Sequence, residues 1–131
     1  MRLIEIVLNE NPPLVEMANL YKEDTGLDYP LWIGRVEGQH GLRIKVSNIK
    51  GKWRENNNFV MDISQSPQII TPHTCKLNKA EITKISKWII LNHDDLMILW
   101  WMFERGALVV QDEDTGLILN YDDIIDRLGK V

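Results

Sequence analysis

The alternation of apolar and polar residues between positions 31 and 63 predicts an antiparallel sheet. Three segments with strand composition, 31–36, 42–46 and 59–63, are separated by glycine- and asparagine-rich stretches typical of turns. In the middle segment, alternate residues belong to opposite sides, with Leu42, Ile44 and Val46 on one side and Arg43 and Lys45 on the other. The pattern therefore predicts a β-meander with one core-facing side and one basic side.

The residues before this meander predict a strand followed by a short helix. Residues 2–8 are rich in β-branched residues, which is typical of a strand. Pro12 and Pro13 end that strand, and proline in a first helical turn favours a short helix over residues 13–23.

The most regular pattern in the chain predicts one long helix over residues 79–104. Its apolar residues recur at spacings of three, four and seven and form one stripe, made of Ile82, Ile85, Ile89, Leu96, Trp100 and Phe103. Asn78 and Glu81 have the spacing of a capping box, and Gly106 is a helix-ending residue. The run Asn92-His93-Asp94 could divide the segment into two helices, but the stripe keeps its phase and favours one.

The second half of this helix is apolar on several sides. Leu91, Ile98 and Met102 lie opposite the main stripe, and Trp101 lies on a flank. Two explanations stay open: the C-terminal strands cover the helix, or the helix lies in a subunit interface. The second explanation predicts a homodimer with Ile98, Trp101 and Met102 in the interface.

The C-terminal residues predict a β-hairpin followed by a short helix. Segments 107–111 and 117–120 flank a turn that contains Gly116, and Asn120 is a suitable cap for a helix over 121–128. A length of 131 residues suits one domain. The sequence thus predicts a single α+β domain over residues 1–131: an antiparallel β-meander packed against one long α-helix, with a C-terminal β-hairpin and short helix.

Composition predicts a cytoplasmic protein that does not span a membrane. The longest apolar run, 96–103, has eight residues, whereas a membrane span needs about 18 or more. The N-terminal apolar stretch contains Glu5 and lacks a small-residue cleavage site, so we do not expect a secretory signal. A single cysteine, Cys75, suits a reducing compartment.

Charge is distributed unevenly along a chain whose net charge is −4. One group combines cations with two tryptophans, a combination found in single-stranded nucleic-acid binding: Trp32, Arg35, Arg43, Lys45, Lys50, Lys52, Trp53 and Arg54. A second group is acidic and could attract a basic protein: Asp112, Glu113, Asp114, Asp122, Asp123 and Asp126. Both groups could also be ordinary solvated surface, or could neutralise each other.

Residues able to support catalysis are few. His73 and Cys75 share a loop and His40 lies between glycines, but no spacing matches a known metal site or phosphate-binding loop. The sequence predicts no metal site, no cofactor and no catalytic residue, and leaves enzymatic activity uncertain. We expect His93, which lies on the apolar stripe, to be a core histidine.

Part of the chain resembles a group of small proteins from phages and mobile elements. The resemblance lies in the HGLRIKV segment at 40–46, the DIS segment at 62–64, and the KWI segment at 87–89 followed by Asn92, Leu96 and Trp100. It covers residues 31–103, with Leu42 in place of the group's proline and no counterpart after Gly106. The group has no established activity. The resemblance implies a phage-type accessory protein that binds and inhibits or modulates a host or phage protein, and a nucleic-acid-binding protein is the alternative.

Overall fold

The computed structural model describes residues 3–6, 17–34 and 42–131 of the chain. Its strands are β1 (Leu3–Ile6), β2 (Met17–Leu20), β3 (Leu31–Gly34), β4 (Arg43–Ser47), β5 (Asn58–Asp62), β6 (Val109–Asp112) and β7 (Ile118–Asn120). Its α-helices are α1 (Lys22–Thr25), α2 (Lys79–Leu91), α3 (His93–Arg105) and α4 (Tyr121–Asp126), and residues Pro72–Thr74 form a 3₁₀ turn. The fold is α+β, as predicted.

A four-stranded antiparallel sheet forms the centre of the molecule, in the order β2-β3-β4-β5. Alternate residues on its inner face are buried: Leu20, Leu31, Ile33, Ile44, Val46, Phe59 and Met61. The outer face carries Trp32, Arg43 and Lys45, each partly exposed. The predicted meander and the assignment of its two sides are therefore confirmed.

The helix predicted over 13–23 is wrong for residues 17–20. Met17–Leu20 form strand β2, which pairs with β3 so that Leu20 lies opposite Leu31. Ala18 and Leu20 alternate with polar or exposed neighbours, and pairing with the sheet outweighs the local helical signal. Of the described residues predicted to form this helix, only 22 and 23 are helical. They belong to α1, a single turn that ends at Gly26 in the left-handed conformation. The described residues do not include 13–16 of this predicted helix. They also do not include residues 2, 7, 8, 35 and 36 of the predicted strands.

Two helices, α2 and α3, replace the one long helix that the pattern favours. They are separated by Asn92, whose side-chain amide donates to the Trp88 carbonyl and to the Gly129 carbonyl, both at 3.0 Å. The residues of α3 that meet the core differ in part from the predicted stripe. Leu96, Leu99, Met102 and Phe103 are buried there, whereas Trp100 of the predicted stripe is only partly buried.

The C-terminal hairpin joins β1 to form a second antiparallel sheet, in the order β1-β6-β7. Gly116 lies in its turn with a positive φ, and α4 begins at Asn120, whose side chain accepts a hydrogen bond from the Asp123 amide. The hairpin and the short helix are therefore confirmed.

The chain's own elements cover much of α3. This helix packs against β3 and α4, and the ring centroids of Phe103 and Tyr121 lie 6.2 Å apart. Met102 is fully buried within one chain, so its predicted place in a subunit interface is wrong. Ile98 and Trp101 are partly buried against the same core. Among residues 3–6, 17–34 and 42–131, no helix is long and apolar enough to cross a membrane.

Candidate functional site

Trp32, Arg43 and Lys45 lie together on the outer face of the central sheet. Trp32 and Lys45 are direct cross-strand partners, and the Lys45 Nζ lies 4.5 Å from the Trp32 ring centroid. This is a cation–π contact. Arg43 lies two residues along the same strand, with Asp62 as its partner on β5. The arrangement combines positive charge with an aromatic ring, although Lys45 already occupies one face of that ring.

The other residues of the predicted basic face that the structure describes do not extend this surface. Lys50, Lys52, Trp53 and Arg54 lie in the loop between β4 and β5, and Arg35 lies outside the described residues. The loop is held at the end of the sheet, where the Ser47 hydroxyl donates to the Lys52 carbonyl and the Gly51 amide donates to the Asp28 carbonyl. The seven described residues of the predicted basic face are therefore divided, because the loop carries Lys50 toward the start of α2.

A polar pocket of about 340 Å³ lies between Lys50 and the first turns of α2. At its rim the Lys22 ammonium lies 2.9 Å from an Asp28 carboxylate oxygen. The hydrogen bond and the charge of Lys22 hold the pKa of Asp28 below its ordinary value. Leu27 and Ile85 supply apolar walls.

An interaction between the side chains of Tyr29 and Glu81, which both line this pocket, affects their titration. It raises the pKa of Tyr29, with burial as a further cause, and it lowers the pKa of Glu81, which also accepts from the Asn78 amide. The capping spacing of Asn78 and Glu81 is visible in the sequence, but no signal there connects Glu81 with Tyr29.

The six predicted acidic residues fill different roles. Asp112 is only 8% exposed, and one of its carboxylate oxygens accepts a hydrogen bond from the Asp114 amide at 2.9 Å. Asp112 is thus part of the hairpin turn, and its predicted place on an acidic surface is wrong. Asp123 accepts from the Asn120 amide and caps α4. The exposed members are Glu113 and Asp114 in the hairpin turn and Asp122, Asp123 and Asp126 on α4.

The hairpin turn combines exposed charge with exposed apolar side chains. Leu117 is 60% exposed and Ile118 is 58% exposed, and both lie beside the turn that carries Glu113 and Asp114. We call these four residues the hairpin tip.

A groove of about 570 Å³ lies where α2 meets α3. Ile90, Leu91 and Met97 line it, with 43%, 60% and 40% of their surface exposed. We call this the junction groove. Its rim is polar: Arg127 pairs with Asp95 at 2.8 Å. His93, expected in the core, is instead in the groove wall, with its Nδ1 3.2 Å from an Asp94 carboxylate oxygen.

A second groove of about 570 Å³ runs along the outer side of α2. Its helical residues are Lys79, Ile82, Thr83, Ser86, Lys87 and Ile90, and its other wall is formed by Ile69 and Leu77. We call this the α2 groove. Lysine, threonine and serine make this side of α2 resemble ordinary solvated surface, so the sequence analysis did not identify it.

The residues considered for metal or nucleophilic chemistry are not brought together. His73 is exposed in the 3₁₀ turn, Cys75 is a partly buried free thiol, and His40 lies outside the described residues. Within the described part of the chain, no three histidine, cysteine or acidic side chains are placed to share a metal ion.

Comparisons with protein-family models, with curated proteins and with solved structures find no match for this chain. The chemistry of the surfaces described above is therefore the basis for a functional proposal.

Proposed function

We propose that the protein is a non-enzymatic, phage-type accessory protein that binds and modulates a host protein in the cytoplasm, using the junction groove. One observation supports this function: Ile90, Leu91 and Met97 are exposed together in one concave surface. Removing apolar surface from water contributes about 25 cal/mol of favourable free energy per Å². A partner that fills the groove therefore gains free energy that the isolated chain lacks.

The rim of the junction groove defines what the partner should carry. The Asp94 side chain is almost fully exposed. We therefore expect the partner to insert an apolar side chain between Leu91 and Met97 and to place a basic residue near Asp94.

The experiment compares two leucines with the same exposed fraction. Leu91 and Leu117 are both 60% exposed, but Leu91 lines the junction groove and Leu117 belongs to the hairpin tip. Immobilised wild-type protein, Leu91→Lys and Leu117→Lys are incubated with lysate of the source cells, and candidate partners are then purified and titrated individually. We expect Leu91→Lys to weaken binding by at least about tenfold and Leu117→Lys to leave it unchanged.

The modulation of the partner is tested with the same variants. Wild-type protein and Leu117→Lys should change the activity of the purified partner, whereas Leu91→Lys should not. A partner that binds Leu91→Lys as tightly as the wild type would overturn the proposed role of the junction groove.

A second candidate function, binding of single-stranded nucleic acid, is favoured by the shared outer face of Trp32, Arg43 and Lys45. To test this function, the retention of a single-stranded oligonucleotide at several salt concentrations is compared for wild type, Trp32→Ala and Lys45→Ala. Lys52→Ala is the control, because Lys52 is an exposed cation in the loop. Loss of retention in the first two variants alone would support this function, and no retention at low salt would exclude it.

A further inference from the structure

We propose that the hairpin tip of one copy of this protein docks into the α2 groove of a second copy. The α2 groove shares Ile90 with the junction groove, but the contact relies on Lys79, Lys87 and the hairpin tip, which the junction groove does not contain. The contact also differs from the interface predicted from the sequence, which comprised Ile98, Trp101 and Met102, the last of them buried within its own chain.

The α2 groove is a basic surface with an apolar floor. The positions 79, 82, 83, 86, 87 and 90 lie on one side of a helix and extend over about 16 Å at 1.5 Å per residue. The small residues Thr83 and Ser86 lie between Ile82 and Ile90, which leaves room for side chains of another chain. Lys79 and Lys87 are exposed, and no described residue forms an ion pair with either.

The hairpin tip has the opposite charge and a matching apolar surface. Leu117 and Ile118 project from it with more than half of their surface exposed, next to the exposed carboxylate of Asp114. The turn is held in place by three hydrogen bonds: the Asp112 amide to the Leu117 carbonyl, the Gly116 amide to the Asp112 carbonyl, and the Asp114 amide to the Asp112 carboxylate. Docking therefore requires little ordering of the tip, which lowers the entropic cost of association.

Charge favours the α2 groove over the junction groove as the place where the tip docks. Lys79 and Lys87 attract Asp114, whereas Asp94 at the junction groove repels it. The contact joins two different patches, so it can build two kinds of assembly. Two copies that each dock their tip into the other would form a closed dimer, and copies that each dock into the next would form a head-to-tail chain. Both assemblies bury the same pair of surfaces.

Sedimentation velocity tests the contact across a range of protein concentrations, at low and at high salt. We expect the wild type to self-associate, and more weakly at high salt. Leu117→Lys should weaken the association by about tenfold, because it places a cation against Lys79 and Lys87. Leu91→Lys, with the same exposed fraction outside the contact, should leave it unchanged.

A charge exchange identifies the two surfaces directly. Lys87→Glu and Asp114→Lys should each weaken self-association by roughly fivefold, since each places like charges together. The double variant restores opposite charges and should recover most of the wild-type association. Lys52→Glu, an exposed cation outside the groove, is the control. Circular dichroism verifies that each variant is folded.

Three results would overturn the proposal. These are a wild-type monomer at all concentrations, a Leu117→Lys variant that associates like the wild type, and a double charge exchange that associates no better than either single variant. Binding of the host partner responds to Leu91→Lys and self-association responds to Leu117→Lys, so failure of one proposal is distinguishable from failure of the other.

Discussion

Trp88 and Trp100 show how much a residue's environment depends on local helix phase. The sequence places both in the core, and from the predicted stripe a loss of about 3–5 kcal/mol is expected for Trp100→Ala. Trp88 is indeed fully buried, but Trp100 is only partly buried, because Leu96, Leu99 and Phe103 form the core-facing side of α3 and Trp100 lies next to it.

We therefore expect Trp88→Ala to lower the free energy of unfolding by about 3–5 kcal/mol and Trp100→Ala to lower it by about 1–3 kcal/mol. Urea denaturation of the wild type and both variants measures the difference. Equal losses would mean that Trp100 is as deeply buried as the predicted stripe implies, and would contradict its place beside the buried side of α3.

At the scale of elements, the parts of the fold that local chemistry determines could be predicted. The alternation in β4 and the cap at Asn120 require only neighbouring residues, and both are confirmed. Strand β2 could not be predicted in this way, because Met17–Leu20 become a strand through pairing with β3. The α2 groove was missed for a related reason, since its second wall comes from Ile69 and Leu77, which precede the helix.

The junction of α2 and α3 depends on Asn92, which is buried. Its side-chain amide donates to the Trp88 and Gly129 carbonyls, and its side-chain oxygen accepts from the Gly129 amide at 2.7 Å. Asn92→Ala removes all three hydrogen bonds and leaves partly buried polar groups unpaired. We expect a loss of about 2–3 kcal/mol in the free energy of unfolding.

Asn78→Ala is the matched control for this variant, because Asn78 caps α2 at an exposed position through the Glu81 amide. Loss of such a cap costs about 1 kcal/mol. Equilibrium unfolding in urea compares the two, and a smaller loss for Asn92→Ala than for Asn78→Ala would contradict the role assigned to Asn92.

At the scale of the whole molecule, the charge pattern of the sequence did not predict which charges share a surface. Lys45 and Lys50 are five residues apart, but Lys45 lies on the outer face of the sheet and Lys50 lies beside α2. Asp112 is used inside a turn although its neighbour Asp114 is exposed. Whether two charges that are close in sequence share a surface depends on the path of the loops at the sheet ends. Spacing along the chain does not reveal that path.

Tyr29, in the loop before β3, and Glu81, at the start of α2, line one pocket, and their interaction should make stability depend on pH at both ends of the scale. The interaction lowers the pKa of Glu81 from an ordinary value of 4.5 and raises the pKa of Tyr29 from 10.0. The contribution of Glu81 is therefore lost as pH falls through its lowered pKa, and that of Tyr29 is lost as pH rises through its raised pKa.

Tyr29→Phe should consequently destabilise the protein most between these limits, and its difference from the wild type should shrink as pH falls below 4.5 and as pH rises above 10.0. Urea denaturation at acidic, neutral and alkaline pH measures that difference. Tyr121→Phe is the control: its ring packs near Phe103, so we expect its effect to come from packing and to vary less with pH. A Tyr29→Phe effect that is the same at every pH would show that Tyr29 contributes through packing alone. A difference largest at neutral pH would show that the pair stabilises the contact between the two elements through a charge-assisted hydrogen bond.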